Sequence, residues 1–252
     1  MYYWNEIRRN LPAVILLLFI CTGCSQRLYL RESKALHYTV SGESGTDSSL
    51  LSMLAPYKLG VDTQMKVVIG HTDIPLSKAQ PESTLGNFMS DAQLLAARRL
   101  DPKVEASVVN YGGIRIPYLA PGPISRGNLY ELMPFDNTVA IVEIPGAVLK
   151  EFCDHMAKAK GWPVSGLRFT IKDKKATDIT INGKEINDHI IYKITVSDYL
   201  ARGGDNCGFL IPLKKRYTSV LLRDAMIDYV AALEASGKPL HPNLENRIVY
   251  AE

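Results

Sequence analysis

The chain has 252 residues, of which 46% are hydrophobic and 22% charged, so it can bury a core and is not a disordered linker protein. Its length exceeds the usual single domain of about 100–150 residues, which fits one large domain or one domain with a tail. The formal net charge of +3 is too small for a surface that coats nucleic acid, so no nucleic-acid partner is expected. Any basic site is therefore local.

The N-terminal segment has the pattern of an export signal. Arg8 and Arg9 precede the apolar run Leu11–Ile20, which is too short to span a bilayer because a spanning helix needs about 20 residues. Small residues then lead to Cys24, as in the lipobox of bacterial lipoproteins, although Cys21 stands where an aliphatic residue is usual. We expect residues 1–23 to be a lipoprotein signal peptide and Cys24 to be lipidated, which would anchor the chain in the bacterial cell envelope at the outer membrane or the periplasmic face. The alternative is an ordinary cleaved signal peptide.

Two cysteines, Cys153 and Cys207, remain for redox chemistry in the mature chain. Two thiols cannot build a disulfide framework, but they can form one bridge in an oxidising compartment. Cys153 follows apolar Phe152 in a helical pattern, which favours a buried, unreactive thiol. The sequence leaves both outcomes open.

The mature chain divides into two regions. Residues 24–64 are interpreted as a lipid-anchored spacer and irregular segment, with a Ser- and Gly-rich stretch at Ser41–Ser49 and a short helix at Leu50–Lys58. Residues 65–252 are predicted to form the globular domain.

Apolar spacing predicts the elements of this domain. A helix over Glu82–Leu100 is indicated because apolar residues recur there at intervals of three and four. These residues are Leu85, Met89, Ala92, Ala96 and Leu100. Two further helices are predicted, over 145–159 and 219–235, and strands over 66–70, 104–109, 138–144, 167–172, 179–181 and 190–196. Short strands mixed with separate helices indicate an α+β fold, an α/β sandwich with a mixed sheet.

No metal site or nucleophile can be read from the sequence. The five histidines are scattered, without HxH, HExxH or a His/Asp cluster at ligand spacing. Gly70-His71-Thr72-Asp73 resembles a Gly-His-x-His fragment of metallophosphatases, but Asp73 replaces the second His, so His71 is interpreted as a strand-end residue. A Gly-x-Ser-x-Gly elbow is also missing. We therefore predict no metal ligand and no catalytic residue, although composition does not exclude a Ser/His/Asp triad.

One loop has the features of an anion site. In Asn110-Tyr-Gly-Gly-Ile-Arg115, paired glycines follow a strand and allow close backbone approach, and the planar guanidinium of Arg115 suits phosphate oxygens. The alternative is a tight turn with Arg115 in a salt bridge.

Two further loops carry aromatic residues. Leu132–Asn137 presents Phe135 after a proline, and its alternative is a core or lid residue. Ser197–Asp205 carries Tyr199 and Asp205 around a Gly-Gly bend, where a ring can stack on a base and a carboxylate can accept bonds from ribose hydroxyls. The alternative for this loop is a helix C-cap at Gly203 with a solvated Asp205.

Four ordered stretches together resemble the C-terminal, substrate-recognition domain of the 5'-nucleotidase and UDP-sugar hydrolase family, which also includes 2',3'-cyclic phosphodiesterases. The stretches are Glu82–Ala92, Asn110–Arg115, Gly127–Asn137 and Asp198–Asp205, and the resemblance runs from about Lys66 to Tyr250. It implies that Phe135 and Tyr199 sandwich the base and that Asp205 is the ribose acceptor. It also implies that Arg99 and Arg115 face the phosphate, with Asn110 beside them.

Helix spacing gives independent support for Arg99. It lies three residues after Ala96 and seven after Ala92, on the inward stripe, where an unpaired charge needs a compensating group. If the register slips by one residue, Arg98 takes the solvated position instead.

The sequence departs from the family at two site positions and in its extent. Tyr199 replaces a common Phe, and Tyr111 replaces a small residue, so its ring would narrow the approach of the phosphate. The metallophosphatase domain, with the two metals of the family's chemistry, has no counterpart in this sequence. We therefore expect this chain to bind no cofactor, and expect divalent metals only in a partner.

Three functions remain open from the sequence. The first is the recognition half of a split 5'-nucleotidase in nucleotide catabolism, completed by a separately encoded metallophosphatase subunit. The second is a solitary nucleoside- or nucleotide-binding lipoprotein without hydrolase activity. The third is a structural domain with a vestigial pocket.

Overall fold

The computed structural model describes residues 33–38 and 45–251. The predicted signal peptide and Cys24 lie outside the described residues. Residues 33–38 are exposed and have no regular secondary structure. In the part of the chain that is described, no helix has the length and apolar character needed to cross a membrane.

The structure mixes helices and strands, as predicted, but has more of both than the sequence pattern indicates. The helices are α1 (Ser48–Met65), α2 (Thr84–Leu100), α3 (Arg126–Leu132), α4 (Gly146–Lys158), α5 (Asp198–Ala201) and α6 (Leu222–Ala235). The first seven strands are β1 (Val68–Thr72), β2 (Leu76–Ser77), β3 (Ala106–Val108), β4 (Tyr118–Leu119), β5 (Gly122–Ser125), β6 (Thr138–Pro145) and β7 (Val164–Ser165). The others are β8 (Leu167–Lys172), β9 (Lys175–Ile181), β10 (Lys184–Glu185), β11 (Ile191–Ser197), β12 (Lys215–Leu221) and β13 (Ile248–Tyr250).

The central sheet is mixed, as predicted. Its five strands lie in the order β12-β6-β11-β3-β7, with β11 parallel to β3 and antiparallel to β6. The β6–β11 pairing runs from Pro145 opposite Ile191 to Val139 opposite Ser197. A second sheet has the order β10-β9-β8-β13, and two short ribbons pair β1 with β5 and β2 with β4.

The two faces of the central sheet belong to two apolar clusters. On β6, Ala140 and Val142 point into a cluster with α4 and the second sheet, whereas Val139 and Ile141 point into a cluster with α2 and α6. This alternation is the period-two pattern of a strand that is buried on both faces. The result is a layered α+β sandwich in which α4 lies between the two sheets.

Helix α2 is confirmed, but the predicted direction of Arg99 is wrong. Ser83 caps the helix, because its hydroxyl accepts from the Gly86 N–H at 3.0 Å. Leu85 and Met89 are buried, whereas Arg99 is exposed and Leu100 is 42% exposed. The last turn of α2 therefore extends beyond the core, where a cation is stabilised by the helix dipole and needs no buried partner.

The C-terminal region contains a strand that the sequence pattern hid. Residues 215–221 form β12 at the edge of the central sheet, so α6 begins at Leu222 rather than at Ser219. Lys215 and Arg216 give β12 the polar character that protects sheet edges, and this obscures the strand signal. Helix α1 is also longer than the predicted Leu50–Lys58.

The two cysteines of the globular domain are buried free thiols, so the bridge left open by the sequence does not form. Burial raises the pKa of Cys207 to about 12, and it raises the pKa of Cys153 further. Both thiols are therefore unreactive in the folded protein.

Candidate functional site

One end of the central sheet brings the predicted loops together. Strands β3 and β11 are parallel, so the loops that follow them emerge at the same edge, and antiparallel β6 begins there. Asn110 follows β3, Asn137 precedes β6, and Tyr199 follows β11. The amide N–H of Thr138 donates to Asp198 at 3.0 Å and ties two of these loops together.

These loops enclose a cavity of about 330 Å³. Its lining consists of Asn110, Gly112, Gly113, Arg115, Phe135, Asn137, Tyr199 and Asp205. Five of the six predicted binding residues are in this set. Arg99 is not, because it lies at the exposed end of α2.

The aromatic rings of the cavity are available to a ligand. Phe135 is 39% exposed and Tyr199 is 42% exposed, so neither is a core residue. The alternative of a core Phe135 is therefore wrong. Large exposed rings on two loops around one cavity supply flat apolar surface for a planar ligand.

Arg115 is a free cation at this cavity. Its guanidinium lies over the Phe135 ring, 5.4 Å from the centroid, and its Nη1 donates to the Gly112 carbonyl at 3.4 Å. Among the described residues no carboxylate pairs with it, so the alternative of a salt bridge is wrong. A forked donor without an acidic partner remains able to bind an anion.

Asp205 is held by hydrogen bonds to both carboxylate oxygens. The Tyr199 hydroxyl donates to Oδ1 at 2.7 Å, and Asn110 Nδ2 donates to Oδ2 at 2.7 Å. The Asp205 N–H donates back to the Tyr199 hydroxyl at 3.1 Å. Asp205 is thus an oriented acceptor rather than a solvated residue. Each oxygen keeps a lone pair for a further donor.

The bond to Asp205 changes the chemistry of the Tyr199 hydroxyl. The carboxylate accepts a hydrogen bond from the protonated phenol and thereby raises the pKa of Tyr199 above its ordinary value. This ring is therefore a neutral, oriented surface at neutral pH.

Glycines permit this loop geometry. Arg202 is the C-cap of α5, and Gly203, which the alternative interpretation made the cap, follows it at φ 95° with its N–H donating to the Leu200 carbonyl at 2.9 Å. At Gly204 a Cβ atom would lie 2.5 Å from the Tyr199 ring. The ring therefore packs directly on the Gly204 backbone, and any side chain there would displace it.

Arg223, which sequence reasoning missed, fixes the Phe135 loop. It is 6% exposed in α6, and its Nη1 donates to the carbonyls of Met133 at 3.3 Å and Phe135 at 3.2 Å. Its Nη2 donates to Asp136 at 2.9 Å. Burial is the largest single influence and opposes the Arg223 charge, but the hydrogen bond and charge of Asp136 together with Tyr130 outweigh it and raise the pKa of Arg223. The available signal was an arginine beside the Leu222/Met226 stripe of a predicted helix.

Tyr111 does not narrow the cavity as the sequence suggested. Its ring is half-buried, packs against both apolar clusters, and carries the Lys78 ammonium 4.2 Å above its centroid. Lys78 Nζ also donates to the Ile114 carbonyl at 2.8 Å. Burial, with a further contribution from Arg115, lowers the pKa of Lys78.

The described residues do not form a group of metal ligands. Across 33–38 and 45–251, no three His, Cys, Asp or Glu side chains come together in a way that could hold a metal ion. His71 instead pairs with Glu234 at 2.6 Å on the surface. No reaction step is therefore assigned to a metal held by these residues.

Comparison with known proteins identifies the class of domain that this fold and cavity define. Residues 68–211 match the family model described as "5'-nucleotidase, C-terminal domain", so the chain belongs to the 5'-nucleotidase family through this domain. The 5'-nucleotidase of Vibrio cholerae is 26% identical over 178 residues, which cover 66% of this chain and 31% of that protein. The cell wall protein Lmo0130 of Listeria monocytogenes is 31% identical over 205 residues, which cover 73% and 26% of the two chains.

A solved structure has the same fold. The 5'-nucleotidase precursor of Thermus thermophilus matches with a TM-score of 0.69 and 24% identity, covering 83% of this chain and 45% of that one. The matched region is thus 26% to 45% of the length of these three relatives.

Proposed function

We propose that this domain binds a nucleoside or nucleotide, with the base between Phe135 and Tyr199 and the ribose on Asp205. The observation that carries the proposal is the arrangement of two exposed rings, one oriented carboxylate and one free arginine around a single cavity. The volume of about 330 Å³ lies at the lower end of the range of about 300–1,000 Å³ for small-molecule pockets.

The two charged side chains of the cavity, Asp205 and Arg115, would bind different parts of a nucleotide. Asp205 can accept from sugar hydroxyls because each of its oxygens keeps a free lone pair. Arg115 can donate two parallel bonds to phosphate oxygens, and Asn110 is already engaged in orienting Asp205. Arg99 is not part of this proposal.

Calorimetry of the purified chain with adenosine, AMP and a UDP-sugar tests the binding function. We expect at least one of these ligands to bind at or below millimolar concentration. If none binds, with or without a candidate metallophosphatase, the recognition role fails and a structural role replaces it.

We further propose that hydrolysis in nucleotide catabolism is completed in trans by a separately encoded metallophosphatase. The chain's own described residues offer no group of metal ligands, and two-metal chemistry requires one. A phosphatase assay of the purified chain with added divalent metal should give at most feeble turnover, which rises when the partner subunit is added. Robust stoichiometric turnover of the chain alone, surviving repurification, would contradict this proposal.

The N-terminal pattern supports a proposed lipid anchor at Cys24 in the cell envelope. Cys24→Ser should move the protein from the membrane fraction to the soluble fraction, because anchoring would rest on acyl chains. Unchanged membrane fractionation of this variant would argue against a lipoprotein.

A further inference from the structure

A second region of the domain concentrates positive charge around a cavity. The end of α4 and the turn between β8 and β9 border a cavity of about 580 Å³. We call its cationic lining the lysine surface. It consists of Lys158, Lys160, Lys172 and Lys174, and all four side chains are exposed.

The charge of the lysine surface is not neutralised within the described part of the chain. None of the four ammonium groups has an ion pair or a hydrogen bond there. Among the described residues, Asp173 is the one acidic residue that lines the cavity. In a chain with a net charge of +3, four unpaired lysines on one surface are a local concentration of charge.

Two of these lysines occupy backbone positions that favour glycine. Lys160 follows the C-cap of α4 at φ 66°, in the position where helices commonly end with glycine. The Lys160 and Gly161 N–H groups donate to the carbonyls of Ala157 and Met156, which completes a Schellman motif. Lysine at this position adopts a left-handed backbone conformation that is unfavourable for a residue with a Cβ atom and that glycine adopts without strain.

Lys174 repeats this situation in the neighbouring hairpin. Asp173 and Lys174 connect β8 to β9 with φ 50° and 62°, so both residues of this two-residue turn are left-handed. Turns of this kind strongly favour Asn-Gly or Asp-Gly. Lysine therefore stands at the second glycine-favouring position beside the same cavity.

The side chains suit an extended anionic surface better than a single small anion. The lysines are flexible point charges on an exposed rim, without a buried donor to hold one anion in a fixed pose. The Tyr250 ring, 52% exposed, borders the same cavity, and an amphipathic ring of this kind is typical of the interface between water and lipid. The apolar Leu11–Ile20 run and Cys24 predict that the chain is held near a bilayer.

We propose that the lysine surface docks this domain on the phosphate-bearing face of an anionic lipid bilayer. Acyl chains would hold the protein at the membrane, and the lysine surface would then set which side of the domain faces the lipid headgroups. Basic clusters act in this way through attraction to anionic lipid that weakens with salt.

Vesicle binding by the full chain carrying Cys24→Ser tests the proposal, because this variant lacks the acyl group. The vesicles are phosphatidylcholine alone and an equal mixture of phosphatidylcholine and phosphatidylglycerol. Binding to phosphatidylcholine alone measures any association that does not depend on charge, so the difference between the two kinds of vesicle measures the contribution of charge. We expect stronger binding to the anionic vesicles at low salt and loss of that preference at high salt.

A pair of charge-matched variants locates the effect. One variant changes all four lysines of the lysine surface to Gln, and the control changes four exposed lysines elsewhere. The control positions are Lys58, Lys103, Lys184 and Lys238. With an effect of roughly fivefold per lysine near the surface, the first variant should lose at least about tenfold of the anionic preference and the control much less.

The glycine-favouring positions give a second, independent readout. Lys160→Gly with Lys174→Gly should raise the thermal midpoint, because glycine relieves both left-handed residues, and should weaken binding to anionic vesicles. Higher stability with unchanged vesicle binding would overturn the proposal. So would equal losses in the two Gln variants, saturable binding of inorganic phosphate at the lysine surface, or a preference for single-stranded oligonucleotide over anionic vesicles.

Discussion

Nη1 of Arg223 lies 3.2 Å from the carbonyl oxygen of Phe135, so a buried side chain of α6 holds the main chain beneath an exposed ring of the cavity. The same guanidinium lies 4.0 Å from the centroid of the Tyr130 ring and bonds to Asp136. The main chain at Phe135 is thus held by residues that do not line the cavity. This relationship connects the stability of the domain to the shape of its site.

Arg223→Met should lower both stability and ligand affinity. The variant leaves the carbonyls of Met133 and Phe135 without their donor, and hydrogen bonds to a charged group contribute about 1.5–3 kcal/mol each. We expect the free energy of unfolding to fall by about 3–6 kcal/mol in a urea titration. Arg223→Lys keeps the positive charge but loses the forked guanidinium, so its stability and ligand affinity should lie between those of the wild type and of Arg223→Met. Unchanged nucleotide binding by a folded Arg223→Met protein would show that the hydrogen bonds of Arg223 do not position Phe135.

Tyr199→Ala and Tyr199→Phe separate the ring from its hydroxyl. Stacking on an aromatic ring contributes about 1–3 kcal/mol per base, so the Ala variant should lose about tenfold or more in nucleoside affinity. The Phe variant keeps the ring and should stay within about threefold, because it loses only a neutral donor. Calorimetry with adenosine measures both. Equal losses in the two variants would mean that the hydroxyl, rather than stacking, carries recognition.

Asp205→Asn should lower the pKa of Tyr199 toward its ordinary value of 10.0. The carboxylate stabilises the protonated phenol, so the folded pKa lies above the unfolded one. The resulting stability is fully present below about pH 10 and is lost as the pH rises through the folded value. Carbon-13 NMR of labelled tyrosine, assigned with Tyr199→Phe, follows this titration. An unchanged titration would contradict the 2.7 Å bond between the two side chains.

Asp205→Ala should also reduce ribonucleoside binding more than deoxyribonucleoside binding. The deoxy analogue lacks one sugar hydroxyl and therefore has less to lose when the acceptor is removed. Paired calorimetric titrations with adenosine and deoxyadenosine give the comparison. A parallel loss for both ligands would mean that Asp205 acts by orienting the loop instead of contacting the sugar.

Arg115→Ala should weaken AMP binding relative to adenosine, and Arg99→Ala provides the matched control. Both arginines are exposed, but only Arg115 lines the cavity. The AMP-specific loss should reach about tenfold at low salt, as expected for a charge-assisted bond of about 1.5–3 kcal/mol, and should shrink as salt is added. An equal effect of Arg99→Ala would indicate a general influence of net charge.

The sequence could predict the central elements of the fold because their signals are local. Helix α2 has an apolar stripe and a capping Ser83, and β6 is rich in β-branched residues. The sequence pattern did not predict strand β12, because edge strands carry charged residues and because its pairing with β6 is decided by tertiary contacts. Only the general mixed architecture, not the strand order, followed from the sequence.

The candidate site could be predicted where motifs lie next to strand ends. Phe135, Tyr199 and Asp205 were found because each stands in a glycine- or proline-marked loop beside a strand. The predicted inward direction of Arg99 is wrong because apolar periodicity cannot show where a helix extends beyond the core. Arg223 was missed because its partners are carbonyls almost ninety residues away, which no local pattern contains.

The pairing of β6 with β11 determines which features of the cavity loop substitutions leave unchanged. Val139 faces Ser197 across the pair, so the two ring-bearing loops start from strands held at the ordinary spacing of about 4.8 Å. The spacing of the strands from which these loops extend therefore derives from main-chain pairing, which is largely insensitive to side-chain identity. Substitutions in the loops can therefore change or move the rings while the spacing of the two strands stays the same. A binder for a different planar ligand could accordingly be selected by varying the loops alone, with the sheet left untouched.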